Sequence, residues 1–237
     1  MQRLENIEKN IAEIRMKIED AAHACGRQAS DIMLCAATKL NGYDAVRRAI
    51  SAGVDAVGEN RVDELLTKDA MGAYAGVPLH FIGHLQRNKA RLIAGRCDLI
   101  QSVDSIELLR ILGKHSSSLG KIQKVLIEIN IGNEPSKNGI QPQMLLPFLD
   151  AAADISSIEI EGLMCIPPAR VKRDENRRFF SSMYELFVDI STKKYDNVNM
   201  CYLSMGMSAD YADAVLEGAN IVRVGSAIFG QRDYSKQ

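Results

Sequence analysis

The chain has 237 residues, 46% hydrophobic and 25% charged, with 29 Lys and Arg against 30 Asp and Glu for a net charge of −1. That is enough sequence for a substantial core, and too little excess charge for a general nucleic-acid or membrane-surface footprint. Cys25, Cys35, Cys97, Cys165 and Cys201 form no CxxC pair and no metal-ligand spacing, which fits a reducing compartment.

The first element is predicted over residues 4–24, where Leu4, Ile7, Ile11, Ile14 and Ile18 recur at helical spacing and Gly26 supplies a stop. Met1 to Asp20 is charged throughout, so no signal peptide is read there. No apolar stretch approaches the roughly 20 residues that cross a bilayer, and the expected location is cytoplasmic. Strand-like runs then follow at 32–39, 54–59, 78–83, 98–103, 124–131, 158–166, 200–206 and 221–228. Helix-like segments such as Asp44 to Ala52 and Arg177 to Ser191 separate them. The basic clusters Arg170–Arg173 and Arg177–Arg178, with Asp174 and Glu175 between them, read as a solvated helix entrance. Gly132–Gly139 reads as a long loop over one mouth.

Eight apolar strands alternating with helices predict a parallel sheet buried on both faces. The expected fold is a single (β/α)8 TIM barrel over residues 1–237, with an extra N-terminal helix. A doubly wound open sheet is the alternative, disfavoured because no GxGxxG opens the first βα turn.

Chemistry-bearing residues gather at the strand ends, where such barrels keep their active sites. Lys39 closes the first run, and alternation sets it on one face with Met33, Cys35 and Ala37. It could pair with a carboxylate, or serve as a desolvated amine that captures an aldehyde. Asn60 either contacts a ligand or caps the helix beginning at Arg61. Ser204-Met-Gly206-Met-Ser208 and Gly225-Ser226 end the last two strands, where barrels often bind phosphate. A capping turn and a tight corner are the plainer readings. Arg223 lies two residues before Gly225 on the same face. A phosphate pocket beside a reactive lysine would be the minimum specification of a pyridoxal 5′-phosphate (PLP) site. An arginine on its ring nitrogen can only donate, so that nitrogen would stay unprotonated and the cofactor a weak electron sink. His80 and His84, four residues apart, would share a strand face, without a third metal ligand or a zinc motif.

Ala37-Thr-Lys39, Gly58-Glu-Asn-Arg61, His80-Phe-Ile-Gly-His-Leu-Gln-Arg-Asn-Lys89, Leu203-Ser-Met-Gly-Met-Ser208 and Val222-Arg-Val-Gly-Ser-Ala-Ile-Phe-Gly230 resemble the pyridoxal phosphate homeostasis protein family. So do Asn130 with Ser136-Lys-Asn-Gly139, and Glu161-Gly-Leu-Met164. The resemblance runs from first strand to last and implies a barrel like the N-terminal domain of alanine racemase. It implies a Schiff base on Lys39, a phosphate surrounded by Ser204, Gly206, Ser208, Gly225 and Ser226, and Arg223 at the ring nitrogen. Two departures stand out: Leu40 for a more usual threonine, and Glu128 for an expected glutamine. The implied role is intracellular PLP homeostasis rather than turnover, with PLP and PLP-dependent acceptor enzymes as partners, no nucleic acid, no membrane, and a monomer expected. An amino-acid racemase is the alternative. It needs an acid or base on the second face of the substrate, for which Tyr202 and Tyr43 are possible substitutes. The chain ends seven residues after Gly230, leaving no room for the second domain that supplies this group in alanine racemase. A sugar-phosphate barrel with a Schiff-base Lys39 would leave Arg223 without a role.

Overall fold

A computed structural model describes residues 6–168 and 176–230. Arg170–Arg173, Asp174 and Glu175 of the predicted helix entrance lie outside the described residues. The strands are β1 (Met33–Ala37), β2 (Ala56–Glu59), β3 (Leu79–Phe81), β4 (Leu99–Val103), β5 (Gln123–Ile129), β6 (Ile158–Cys165), β7 (Val198–Ser204) and β8 (Ile221–Val224). They form one closed parallel barrel in sequence order, with β8 pairing back onto β1 through Cys35–Arg223 and Ala36–Val224. All eight predicted strands are present, within a closed (β/α)8 barrel.

The helices are α1 (Ile7–Ala24), α2 (Tyr43–Ser51), α3 (Val62–Ala70), α4 (Arg87–Ile93), α5 (Ile106–Ser118), α6 (Leu145–Ala152), α7 (Asn176–Ser191), α8 (Tyr211–Leu216) and α9 (Ser226–Phe229). Helix α1 buries Ile7, Ile11, Ile14 and Ile18, the stripe its sequence spacing requires. It ends where Gly26 takes φ +73° and Arg27 N–H reaches back to the Ala22 carbonyl. The helix after β8 is only four residues long. Helix α1 packs against α2, α8 and α9, filling the place in the outer ring that a full eighth helix would take. Among the described residues, no helix is long and apolar enough to cross a membrane.

One difference from the sequence expectation sets up the site. The eighth strand was expected to run to 228, but it stops at Val224. Gly225 turns the chain, and Ser226–Phe229 becomes helix. A Cβ on Gly225 would stand 3.3 Å from both the Cβ and the carbonyl oxygen of Ala37, so the turn after β8 lies directly against the exit of β1.

Strand alternation separates two apolar regions. Cys35, Ala37, Ala56, Ile82, Leu99, Leu126, Met164 and Ile221 pack together inside the barrel, while the larger core lies between strands and helices. The inner faces also carry polar groups, and these build the site.

Candidate functional site

Lys39 follows β1 by two residues and is half-buried at the barrel mouth. The next residue, Leu40, is exposed and held at φ +61°, a left-handed conformation that costs a branched side chain on the order of 1 kcal/mol. The restraint comes from Glu64 on α3, whose Oε1 accepts the Leu40 N–H at 2.6 Å. Below this corner lies a buried ion pair: Lys68 Nζ stands 2.7 Å from Glu59 Oε1 and 2.6 Å from Glu64 Oε1, and donates to the Thr38 carbonyl at 2.9 Å. Glu59 Oε1 also accepts the Thr38 hydroxyl at 2.6 Å and the Tyr74 hydroxyl at 3.2 Å. Burial pushes the Glu59 carboxyl upward, and the Lys68 and Thr38 hydrogen bonds pull it back toward ionisation. The network ties together the ends of β1 and β2, immediately before Lys39 and Asn60.

Asn60 does not cap the following helix, whose N-cap position is Arg61. Its Oδ1 is buried without a hydrogen-bond partner. A buried amide oxygen left unmade is expensive, so the group is suited to a ligand, and the amide can turn to offer its NH2 instead. A Cβ on Gly83 would come within 2.3 Å of the Asn60 carbonyl oxygen, which fixes the chain at this point.

On the other side of Lys39, Gly206 takes φ +87°, and a Cβ there would meet the Ala214 Cβ at 2.5 Å. Only glycine allows this turn to seat against α8. Ser208 crosses from this turn to the next: its hydroxyl oxygen accepts the N–H groups of Gly225 at 3.1 Å and Ala227 at 3.2 Å. Ser226 is exposed beside them. Ser208 thereby joins the two final turns against the end of β1.

Inside the barrel, Arg223 is buried at 4% exposure and forms no ion pair with any of the described residues. One terminal nitrogen donates to the Ser204 hydroxyl at 2.5 Å and the other to the Cys165 carbonyl at 2.8 Å. Burial pulls its pKa down. Ser204 Oγ lies 2.6 Å from Gln101 Oε1, and Gln101 Nε2 lies 2.8 Å from His80 Nδ1. His80 is buried, which presses its pKa down to about 4.

Across the barrel, Glu128 shares the inner face of β5 with Leu126 and is buried. Burial, followed by the nearby Asp104 charge, raises its carboxyl to about 7 against the opposing pull of Arg223. Asn130, just beyond β5, accepts the Glu134 N–H on its Oδ1 at 3.1 Å and donates to the Glu134 carbonyl at 2.8 Å. It therefore clasps the loop expected at 132–139, which Lys137 Nζ also anchors to the Pro167 carbonyl at 2.8 Å.

Lys39, Asn60, Ser208, Gly225 and Ser226 thus come to one mouth, with Arg223 beneath them and Gly206 behind the turn. Ser204 is a difference. Strand β7 extends through it, so its hydroxyl points inward to Arg223 and Gln101 rather than into the turn cradle. His80 and His84 also part company: β3 ends at Phe81, and His84 is half exposed, with Nδ1 3.3 Å from Asp104 Oδ2. Sequence reasoning did not single out Glu59, Lys68 or Gln101. For Gln101 a signal was present, because alternation from Leu99 sets it on the inner face.

Residues 3–233 match the family described as "Alanine racemase, N-terminal domain". The pyridoxal phosphate homeostasis protein of Pasteurella multocida is 37% identical over 97% of this chain and 99% of its own length. That of Escherichia coli K12 is 36% identical over 99% and 100%. A crystal structure from Bifidobacterium adolescentis superposes with TM-score 0.90 at 33% identity, over 96% of both chains. PipY of Synechococcus elongatus, solved with PLP bound, superposes with TM-score 0.81 at 30% identity, over 94% of this chain and 100% of that one. Alanine racemase of Clostridium difficile, at 18% identity and TM-score 0.72 over 60% of its length, shares the fold. With two glycine turns, an inward arginine and a mouth lysine on one closed barrel, the chain belongs to the alanine racemase N-terminal-domain family, among the pyridoxal phosphate homeostasis proteins.

Proposed function

We propose that this protein binds pyridoxal 5′-phosphate and takes part in its intracellular homeostasis. Lys39 holds the aldehyde as a Schiff base, with loss of water. Asn60 meets the ring's phenolate oxygen. The phosphate lies in the cradle of the two final turns, with Gly206 and Gly225 allowing close approach and Ser208 and Ser226 adding hydroxyls. The Ser208 oxygen accepts the Gly225 and Ala227 N–H groups, which leaves its hydroxyl hydrogen to donate to a phosphate oxygen. Support comes from the homeostasis relatives and from PipY, whose structure contains PLP.

The observation that carries the reading is Arg223, a buried cation without an ion-pair partner among the described residues. A buried unpaired charge is costly, and a pyridine lone pair is a fitting acceptor. When bound, the cofactor supplies an electron sink. A neighbour that only donates leaves the ring nitrogen unprotonated and that sink weak. Storage and delivery to acceptor enzymes suit such a site better than carbanion chemistry.

One observation favours a second reading, weak amino-acid racemisation. Glu128 faces inward from β5, the strand opposite β1 in an eight-stranded ring, with a carboxyl near 7. It is a better-placed second acid or base than Tyr43, which opens α2, or the interior Tyr202.

The test is an absorbance spectrum of the reconstituted protein, followed by borohydride reduction and peptide mapping. Label on Lys39, lost in Lys39→Ala with the fold intact, is expected. Failure to take up PLP, or binding pyridoxal as tightly as its phosphate, would sink the reading. Racemase assays on wild type and Glu128→Gln separate the two roles.

A further inference from the structure

His80, Gln101, Ser204 and Arg223 belong to four strands, β3, β4, β7 and β8, yet their side chains form one buried line. The direction of every bond in it follows from elementary chemistry. A guanidinium only donates, so Ser204 Oγ must accept from Arg223. The single serine hydrogen then goes to Gln101 Oε1. That choice turns the Gln101 NH2 toward His80, whose Nδ1 must carry a lone pair. His80 is therefore neutral with its proton on Nε2, in keeping with the burial that disfavours its charged form.

We propose that His80, Gln101 and Ser204 are positioning residues of the cofactor site, a one-way hydrogen-bond chain that locks Arg223 as a fixed donor selective for an unprotonated ring nitrogen. This rests on the reading that Arg223 meets that nitrogen. All three bonds run away from Arg223, so each acceptor faces the cation and their dipoles add to hold its charge where burial works against it. The Cys165 carbonyl holds the second terminal nitrogen, so the guanidinium is tied at both ends, to β6 and β7. A donor so restrained cannot turn aside for a protonated ring. The chain also gives the buried His80 a function.

The probe is a cofactor analogue with the ring nitrogen replaced by C–H, compared with PLP for binding to the whole protein. Wild type should favour PLP by roughly tenfold or more, the value of one charge-assisted hydrogen bond. Arg223→Ala should erase the preference. Ser204→Ala, Gln101→Met and His80→Phe should cut it several-fold while Lys39 is still labelled. His80→Asn returns an acceptor at the δ position and should restore the preference, which a purely structural role would not predict. Nitrogen NMR on unmodified protein should find His80 with Nδ1 unprotonated. If Arg223→Ala erases the preference and the three chain variants keep it, or if Nδ1 carries the proton, the proposal fails and the Arg223 reading stands. If Arg223→Ala keeps the preference, the ring-nitrogen reading fails and the proposal goes with it.

Discussion

Glu128 presents the sharpest conflict between a residue and its surroundings. It occupies the inner face of β5, where the family resemblance leads one to expect glutamine, and burial raises its carboxyl from 4.5 to about 7. A carboxyl raised on folding adds no penalty below its unfolded value. As pH climbs from 4.5 to about 7 the unfolded chain loses its proton first, and folded stability falls. Glu128→Gln should therefore stabilise the protein at pH 8 by up to about 3 kcal/mol, with the gain vanishing below about pH 4.5. Urea titrations at several pH values would detect this, and a gain constant with pH would refute it. At Gly206 the conflict is steric. A Cβ would stand 2.5 Å from the Ala214 Cβ, at a φ that side chains rarely adopt. Gly206→Val should weaken PLP by tenfold or more, and pyridoxal, which lacks the phosphate, far less. Equal losses for both ligands would point to general misfolding.

At the scale of elements, the exits of β1 and β2 are held from outside the barrel by α3. Lys68 reaches the Thr38 carbonyl, Glu59 and Glu64 together, and Glu64 pins the strained Leu40. Removing one member leaves a buried charge without its counterpart, which is worse than never having had the pair. Lys68→Met should cost about 3–5 kcal/mol. The double variant Lys68→Met, Glu59→Leu should recover part of that loss, a coupling that equilibrium unfolding can measure. Nothing in the linear pattern announced this network. Lys68 and Glu59 lie in different elements, and a lysine on an amphipathic helix reads as solvated. The elements themselves were legible, because apolar runs bounded by polar residues alternated with helical spacing from Ile32 onward. Arg223 was legible too, since alternation within β8 sets it on the inner face. Ser204 falls inside the expected strand 200–206, yet the resemblance sets it around the phosphate, whereas its hydroxyl is turned to Arg223 and Gln101. Counting from Tyr202 by twos would have set its hydroxyl inside, on the same side of the sheet as Arg223.

Over the molecule as a whole, polar groups are layered along the barrel axis. The His80 chain lies beneath, and the lysine, asparagine and glycine turns lie above. His80, lowered from 6.5 to about 4, stays neutral in the fold while the unfolded chain takes up its proton. The His80 contribution to stability should therefore fall as pH drops from 6.5 through about 4, opposite in sign to that of Glu128, and in a Glu128→Gln background His80→Asn should flatten that limb of a melting-temperature profile. An unchanged slope would mean that His80 is not a buried neutral base.

The seam where β8 meets β1 divides the binding groups by time as well as by space. Lys39 leaves the ribosome early, whereas Arg223, Gly225 and Ser226 follow more than 180 residues later, and the two sets meet only when the ring closes. A nascent chain thus exposes an amine but offers no grip for the phosphate. Retention of cofactor during refolding should mark the moment of closure, and a chain stalled before its eighth strand should release whatever aldehyde it meets.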